Sequence, residues 1–181
     1  MIPDPSEGWS EVDLRGEQLT GADLGELRAT GSSLTSCELS GASLYEADLW
    51  RVEIRDCRLS GAVLDGARLR DVRFVGCKLD TATLRGVKGE RVTFLDCVLR
   101  EADLTASAWA DSAFFDCDLD GATVVDARVA GCRFHGSTVD RVIGADALRG
   151  IVIDPDRAIA LGLRVLDAMS VTTDEEREPP T

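Results

Sequence analysis

The chain has 181 residues, enough for one domain with its own core, and its 33 acidic against 20 basic residues leave a net charge of −13. That charge opposes generic attraction to phosphate backbones and anionic membranes, so neither nucleic acid nor membrane is expected as a direct partner. No run of about 18 apolar residues exists, and Met1-Ile2-Pro3-Asp4-Pro5 has neither the basic nor the apolar part of a secretion signal, so a soluble cytoplasmic protein is expected.

In chain order, residues 1–10 carry no pattern and are expected to trail loosely. Residues 11–145 are strictly periodic. From Leu14 to Val139 every fifth residue is apolar, with only Ala29 and Gly89 softening the run, and two places before each stands a small residue such as Cys37, Ala42, Ala47 or Val52. The 26 repeats keep one phase without insertion, and a period of five fits neither an α-helix nor a strand. A second period of 20 lies over the first: Cys37, Cys57, Cys77, Cys97 and Cys117 recur at that spacing, as do Phe74, Phe94, Phe114 and Phe134. Four repeats per period predict a four-sided solenoid whose coils stack through their backbones, a rod roughly 31 Å long. Counting sides from Leu14, the first face is centred on Leu14, Leu34 and their successors, the second on Leu19, the third on Leu24 and the fourth on Ala29. Gly89 lies one coil below Trp109, and its missing side chain is expected to leave volume for the indole.

A solenoid needs a cap over its last coil. Residues 146–171 read as one: Asp154-Pro155-Asp156-Arg157 opens a short helix through Ala158-Ile159-Ala160-Leu161, Gly162 is expected to stop it, and Leu163-Arg164-Val165-Leu166 follows as a short strand. Residues 172–181, with Asp174, Glu175, Glu176 and Glu178 beside Pro179 and Pro180, have the composition of a disordered acidic tail.

Little in the chain points to catalysis. Five of the six cysteines fill the small inward position of one ladder, where stacking separates their Cβ atoms by roughly 4.8 Å, wider than a disulfide takes, so they read as reduced core residues. No metal-ligand spacing is present, and His135, the only histidine, falls on an outward position without a nucleophile beside it. Nucleotide-binding, hydrolase and metalloprotease motifs are missing, and a convex rod has no cleft to desolvate paired carboxylates. A non-enzyme without metal or cofactor is expected.

The outer surface is two-sided. The third face carries Asp23, Glu26, Glu46, Asp65, Asp103, Asp126 and Asp146 against Arg85 alone. On the fourth face Arg28, Arg51, Arg68, Arg70, Lys88, Arg91 and Arg128 outnumber Asp48, Asp71, Glu90 and Asp111. The first face shows an outward apolar stripe, Val75, Leu95 and Phe115, one coil apart. An acidic face also serves plain solubility, and such a stripe also serves coil stacking.

The small-x-Leu-x-x tandem, clear in Ala22-Asp23-Leu24, Ala47-Asp48-Leu49 and Ala102-Asp103-Leu104, resembles the pentapeptide-repeat family over about residues 12–141. The resemblance implies an all-β fold, a right-handed quadrilateral β-helix with a short C-terminal helical module. Within the family the chain resembles the MfpA/Qnr-type DNA-mimic branch. That likeness implies a protein that occupies a bacterial type II topoisomerase, DNA gyrase or topoisomerase IV, and modulates it or protects it from quinolones or natural topoisomerase poisons, an antibiotic-resistance role. By this analogy Asp23, Glu26, Glu46, Asp65, Asp103 and Asp126 bind the partner, and a homodimer forms tail to tail through Ile159, Leu163, Val165 and Leu166. A monomeric cap with those residues packed on the last coil is the alternative. The chain departs from the Qnr pattern in having no loops projecting from the rod, and the basic fourth face would confine mimicry to one side. A second class of function stays open: an interaction scaffold unrelated to topoisomerases, using Val75, Leu95 and Phe115, or Trp50 and Tyr45.

Overall fold

Each five-residue unit forms one side of a coil. The small residue and the Leu two places on both point inward, as alternation along an extended segment requires, and the residue two places further turns the corner with a left-handed backbone. Glycine takes that conformation freely, as at Gly41 and Gly61 (φ 66), yet Glu26, Glu46, Asp56 and Asp96 adopt it too, at φ 51 to 56. Among the described residues ten of the fifteen non-glycine corner residues with positive φ are Asp or Glu, so much of the acidic excess stands on the outer edges of the coil.

The corners are of two kinds, and this explains which small residue stands where. After the second and third faces the corner closes as a β-turn, with the next small residue donating its N–H back three places, Ala42 to Leu39 (3.0 Å) and Ala47 to Leu44 (3.1 Å). There Ala suffices. After the first and fourth faces that bond is missing except where Cys132 donates to Val129 (2.9 Å), and where the coil above supplies a Cys or Ser its side chain meets the N–H: Val12 donates to Ser32 Oγ (3.1 Å), Cys37 to Cys57 Sγ (3.3 Å), Val92 to Ser112 Oγ (3.1 Å) and Cys117 to Ser137 Oγ (3.0 Å). The thiols donate in turn to carbonyls, Cys57 to Leu34 (3.5 Å) and Cys77 to Ile54 (3.2 Å). The cysteine ladder therefore satisfies buried backbone donors as well as filling space.

The computed structural model describes residues 2–139 and 141–168, which form a parallel β-solenoid of about 7 turns, a quadrilateral β-helix. Strands of two or three residues on the first face make an eight-stranded parallel sheet and those on the fourth a six-stranded one. Within the coils each residue pairs with the one 20 places on, as Leu49 with Leu69 and Phe74 with Phe94. The second and third faces are joined by single bridges, such as Glu38 with Arg58 and Ser43 with Val63. Inside, Phe74, Phe94, Phe114 and Phe134 stack at centroid spacings of 4.7, 4.8 and 4.6 Å, and the Trp109 indole meets Phe94 and Phe114 edge-on. The space over Gly89 is the one the sequence suggests: a Cβ there would stand 2.7 Å from Trp109 Cζ3.

Both ends differ from expectation. The coil begins before residue 11, because Trp9–Ser10 pairs with Ala29 and Thr30, Trp9 is buried, and its indole N–H donates to the Pro3 carbonyl (3.2 Å). A large apolar ring over the undersized Ala29 closes the first coil. At the other end one helix, α1, runs from Ala158–Ala168 through Gly162, so the expected stop and the strand over 163–166 do not form. Four-residue spacing explains it: Leu161 is buried and Val165 packs beside it against the core, an anchor stronger than the roughly 1 kcal/mol cost of an internal glycine. Asp154 stands at the cap of the short helical turn Pro155–Arg157, but its carboxylate makes no capping bond there. It reaches back to His135 Nδ1 (2.8 Å) and the Gly136 N–H (2.5 Å), which lower its pKa, the Gly136 bond foremost. The tail expected over 172–181 lies outside the described residues.

Candidate functional site

The third face places its carboxylates by the coil geometry just described. Asp23 and Asp103 flank the central Leu of their units, Asp65 follows its own, and Glu26, Glu46 and Asp126 stand on the corner beyond. Asp23, Glu26, Glu46 and Asp126 line the outside of the rod, with Asp65 and Asp103 half-buried between them. Arg85, the face's one cation in the sequence count, is engaged: its guanidinium bonds Asp103 (2.6 Å) and its backbone N–H donates to Asp65 Oδ1 (3.0 Å). Burial opposes ionisation of Asp103, but bonds from Thr105 and Arg85 outweigh it and hold its pKa below the usual carboxylate value. The face's field is also registered at Tyr45, 48% exposed, whose hydroxyl donates to Glu46 (2.8 Å). Its phenol pKa is raised, first by that bond and the Glu46 charge, with Glu26 and Asp65 adding to it. Tyr45 lies at the centre of this field, a position its unit number gives but a count of charges overlooks.

On the fourth face much of the positive charge is spent internally. Asp71 holds Arg91 through two bonds (2.6 and 3.0 Å), which lowers the Asp71 pKa, and Glu90 joins both Arg91 and Arg70. Arg51 stacks 4.2 Å over the exposed Trp50 ring. Arg28, Arg68, Lys88 and Arg128 have no ion pair among the described residues. The first-face stripe is a half-buried ladder: Val75, Leu95 and Phe115 lie in register, Phe115 stacks on His135 (6.0 Å), and Arg133 lies 5.8 Å from its ring. Each member shields the next, so the stripe presents edges more than an open patch. At the C-terminal end Ile159, Leu163 and Leu166 are exposed, Ile159 by 76%, whereas Val165 turns toward the core.

All six cysteines are free and buried. Burial pushes the Cys57 thiol up to about 12; a hydrogen bond with Cys117, together with burial, takes Cys97 to about 12; Cys77 is raised as well, by its bond with Cys97 and by burial. Such thiols stay protonated and unreactive. Among the described residues no group of three His, Cys, Asp or Glu is placed to hold a metal ion, and no helix is long and apolar enough to cross a membrane.

Comparison with known proteins matches residues 67–142 to the profile of a pentapeptide repeat region and residues 13–51 to that of pentapeptide repeats in 8 copies. A search of curated proteins returns no match. Among solved structures the chain is similar to a trypsin-treated form of QnrB1, a plasmid-mediated fluoroquinolone resistance protein, at 20% identity over 87% of this chain and 89% of that one, with a TM-score of 0.44. It is similar to a pentapeptide repeat protein of the Arabidopsis thaliana thylakoid lumen at 25% identity, over 55% of this chain and 66% of that one, with a TM-score of 0.43. HetL, involved in heterocyst differentiation regulation in Nostoc sp. strain PCC 7120, matches at 22% identity over 71% and 70%, with a TM-score of 0.30. With its unbroken five-residue units, its quadrilateral coil and family profiles matched over more than half its length, the chain belongs to the pentapeptide-repeat family.

Proposed function

We propose that the protein is a non-enzymatic cytoplasmic rod that presents its third face to the cationic DNA-binding surface of a bacterial type II topoisomerase, DNA gyrase or topoisomerase IV. Such binding would modulate the enzyme or protect it from quinolones or natural poisons. The observation that carries the reading is the one-sided wall: Asp23, Glu26, Glu46 and Asp126 with Asp65 and Asp103 between them, and an Arg85 already held by its acidic neighbours. A rigid row of carboxylates offers a DNA-binding surface the charge of a phosphate backbone, and the attraction weakens with salt. The choice of topoisomerase among DNA-binding proteins follows the sequence resemblance to the MfpA/Qnr branch. A second copy is proposed to join through the exposed apolar side of α1, Ile159, Leu163 and Leu166.

The test is a gyrase supercoiling and cleavage titration with purified protein, with and without ciprofloxacin, at low and moderate salt. Salt-sensitive inhibition of supercoiling, or relief of drug-induced cleavage, that is lost in Asp23→Lys/Asp126→Lys supports the reading. No effect on several bacterial topoisomerases refutes it.

A further inference from the structure

The edge between the third and fourth faces is built, coil by coil, from a corner residue and the fourth-face residue two places on: Glu26 with Arg28, Glu46 with Asp48, Gly66 with Arg68, Gly86 with Lys88. These residues line a groove of about 520 Å³. It shares Glu26 and Arg28 with a hollow of about 470 Å³ at the N-terminal end, and Asp48, Arg68 and Lys88 with one of about 190 Å³ over the fourth face. A shallow trough thus follows the rod from Gly8 to Lys88.

The two halves of the trough differ. In the N-terminal half Glu26 and Glu46 form one wall opposite Arg28. In the other half the corners are Gly66 and Gly86: the Glu46 side chain leans over Gly66, its Cγ 3.2 Å from where a Cβ would stand, whereas Gly86 is open, so the acidic wall ends there and Arg68 and Lys88, paired in register and about 4.8 Å apart, run on past it. Neighbouring cations are held by partners, Arg85 by Asp103 and Arg91 by Asp71. Arg28, Arg68 and Lys88 have no ion pair among the described residues.

We propose that this trough binds an extended polypeptide segment of a partner, with two acidic residues two apart in its sequence. In an extended chain those two side chains share one edge, which sets their carboxylates on Arg68 and Lys88 while the main chain lies over the open backbone at Gly86. A basic residue further along the segment faces Glu26 and Glu46. The three coils from Arg28 to Lys88 span about 14 Å, the length of four or five extended residues. A nucleic-acid strand fits less well, because Glu26, Glu46 and Asp48 would repel its phosphates along half the trough. The inference shares Glu26 and Glu46 with the topoisomerase reading but turns on Arg68, Lys88 and Gly86, which that reading does not use, so either can fail alone.

The test is fluorescence anisotropy with a fluorescein-labelled peptide of sequence Glu-Ala-Glu-Ala-Lys, its scrambled form Lys-Glu-Glu-Ala-Ala, and a ten-nucleotide thymidine oligomer as competitor. The decisive variant is Gly86→Glu, which rebuilds the acidic wall. A Cβ at Gly86 meets nothing within 4 Å, and Glu26 and Glu46 already occupy equivalent corners at φ 56 and 54, so this variant keeps the fold, to be checked by circular dichroism. Saturable binding of the first peptide, weakened about tenfold or more in Gly86→Glu and in Arg68→Ala/Lys88→Ala but unchanged in Asp23→Lys/Asp126→Lys, is expected. Absence of binding, equal binding of the scrambled peptide, displacement by the oligomer, or indifference to Gly86→Glu would each overturn the proposal.

Discussion

At residue scale the cysteine ladder shows how one position serves two demands. Cys57 occupies volume in the core, and its sulfur also receives the Cys37 N–H (3.3 Å), which no backbone carbonyl meets. Removing the sulfur leaves that donor buried and unpaired, a loss of about 1–3 kcal/mol. Cys57→Ala should therefore lower the urea midpoint clearly, while Cys57→Ser, the replacement that Ser137 already makes in the same ladder, should lower it less. Equal losses would show that only packing matters there. Tyr45 permits a second check, because it is the chain's one tyrosine and its absorbance near 295 nm titrates alone. Its ionisation should fall above the ordinary phenol value of 10.0 and move down in Glu46→Gln. A normal titration would mean that the third-face carboxylates do not create the field attributed to them.

At the scale of the element, α1 divides its apolar residues between two sides. Leu161 and Val165, four apart, pack toward the coil, while Ile159, Leu163 and Leu166 stand exposed. Leu161→Ala should destabilise the cap by about 2–5 kcal/mol, seen as early loss of helical signal on heating. Ile159→Ser/Leu163→Ser should change stability by less than about 0.5 kcal/mol per site yet convert a dimer to monomer in sedimentation velocity. A dimer that survives that pair of substitutions would place self-association elsewhere. The cap also joins the coil through Asp154, which trades a capping bond for His135 and Gly136 and so fixes the helix relative to the last turn.

For the whole molecule, stacking makes every coil the support of its neighbours, so local titrations act on the entire rod. Cys57 and Cys97 have pKa values of about 12 in the fold against 9.0 ordinarily. A raised pKa means that the fold favours the protonated thiol. This contribution is complete below about pH 9 and is lost as pH climbs toward 12. Urea unfolding followed by circular dichroism should give a midpoint that falls over that interval, and Cys57→Ser/Cys97→Ser should flatten the fall. An alkaline decline of the same steepness in the serine variant would assign it to other groups.

The architecture was legible because a strict period of five with a superperiod of 20 admits one stacking arrangement, and inward alternation then assigns every core residue from Leu14 to Val139. The room over Gly89 for Trp109 and the sidedness of the charge followed from the same register. What the periodicity could not reveal were matters settled between coils or beyond them. Trp9 belongs to the rod because the open end of the first coil needs a lid, a demand of the third dimension. Gly162 is crossed by a helix because Leu161 and Val165 find a surface to cover, where local propensity alone signals a stop. Sequence counts the charges on each face, but only the tertiary structure decides that Arg85 and Arg91 are spent on carboxylates while Arg68 and Lys88 have no ion pair among the described residues, because pairing depends on side-chain reach across adjacent turns.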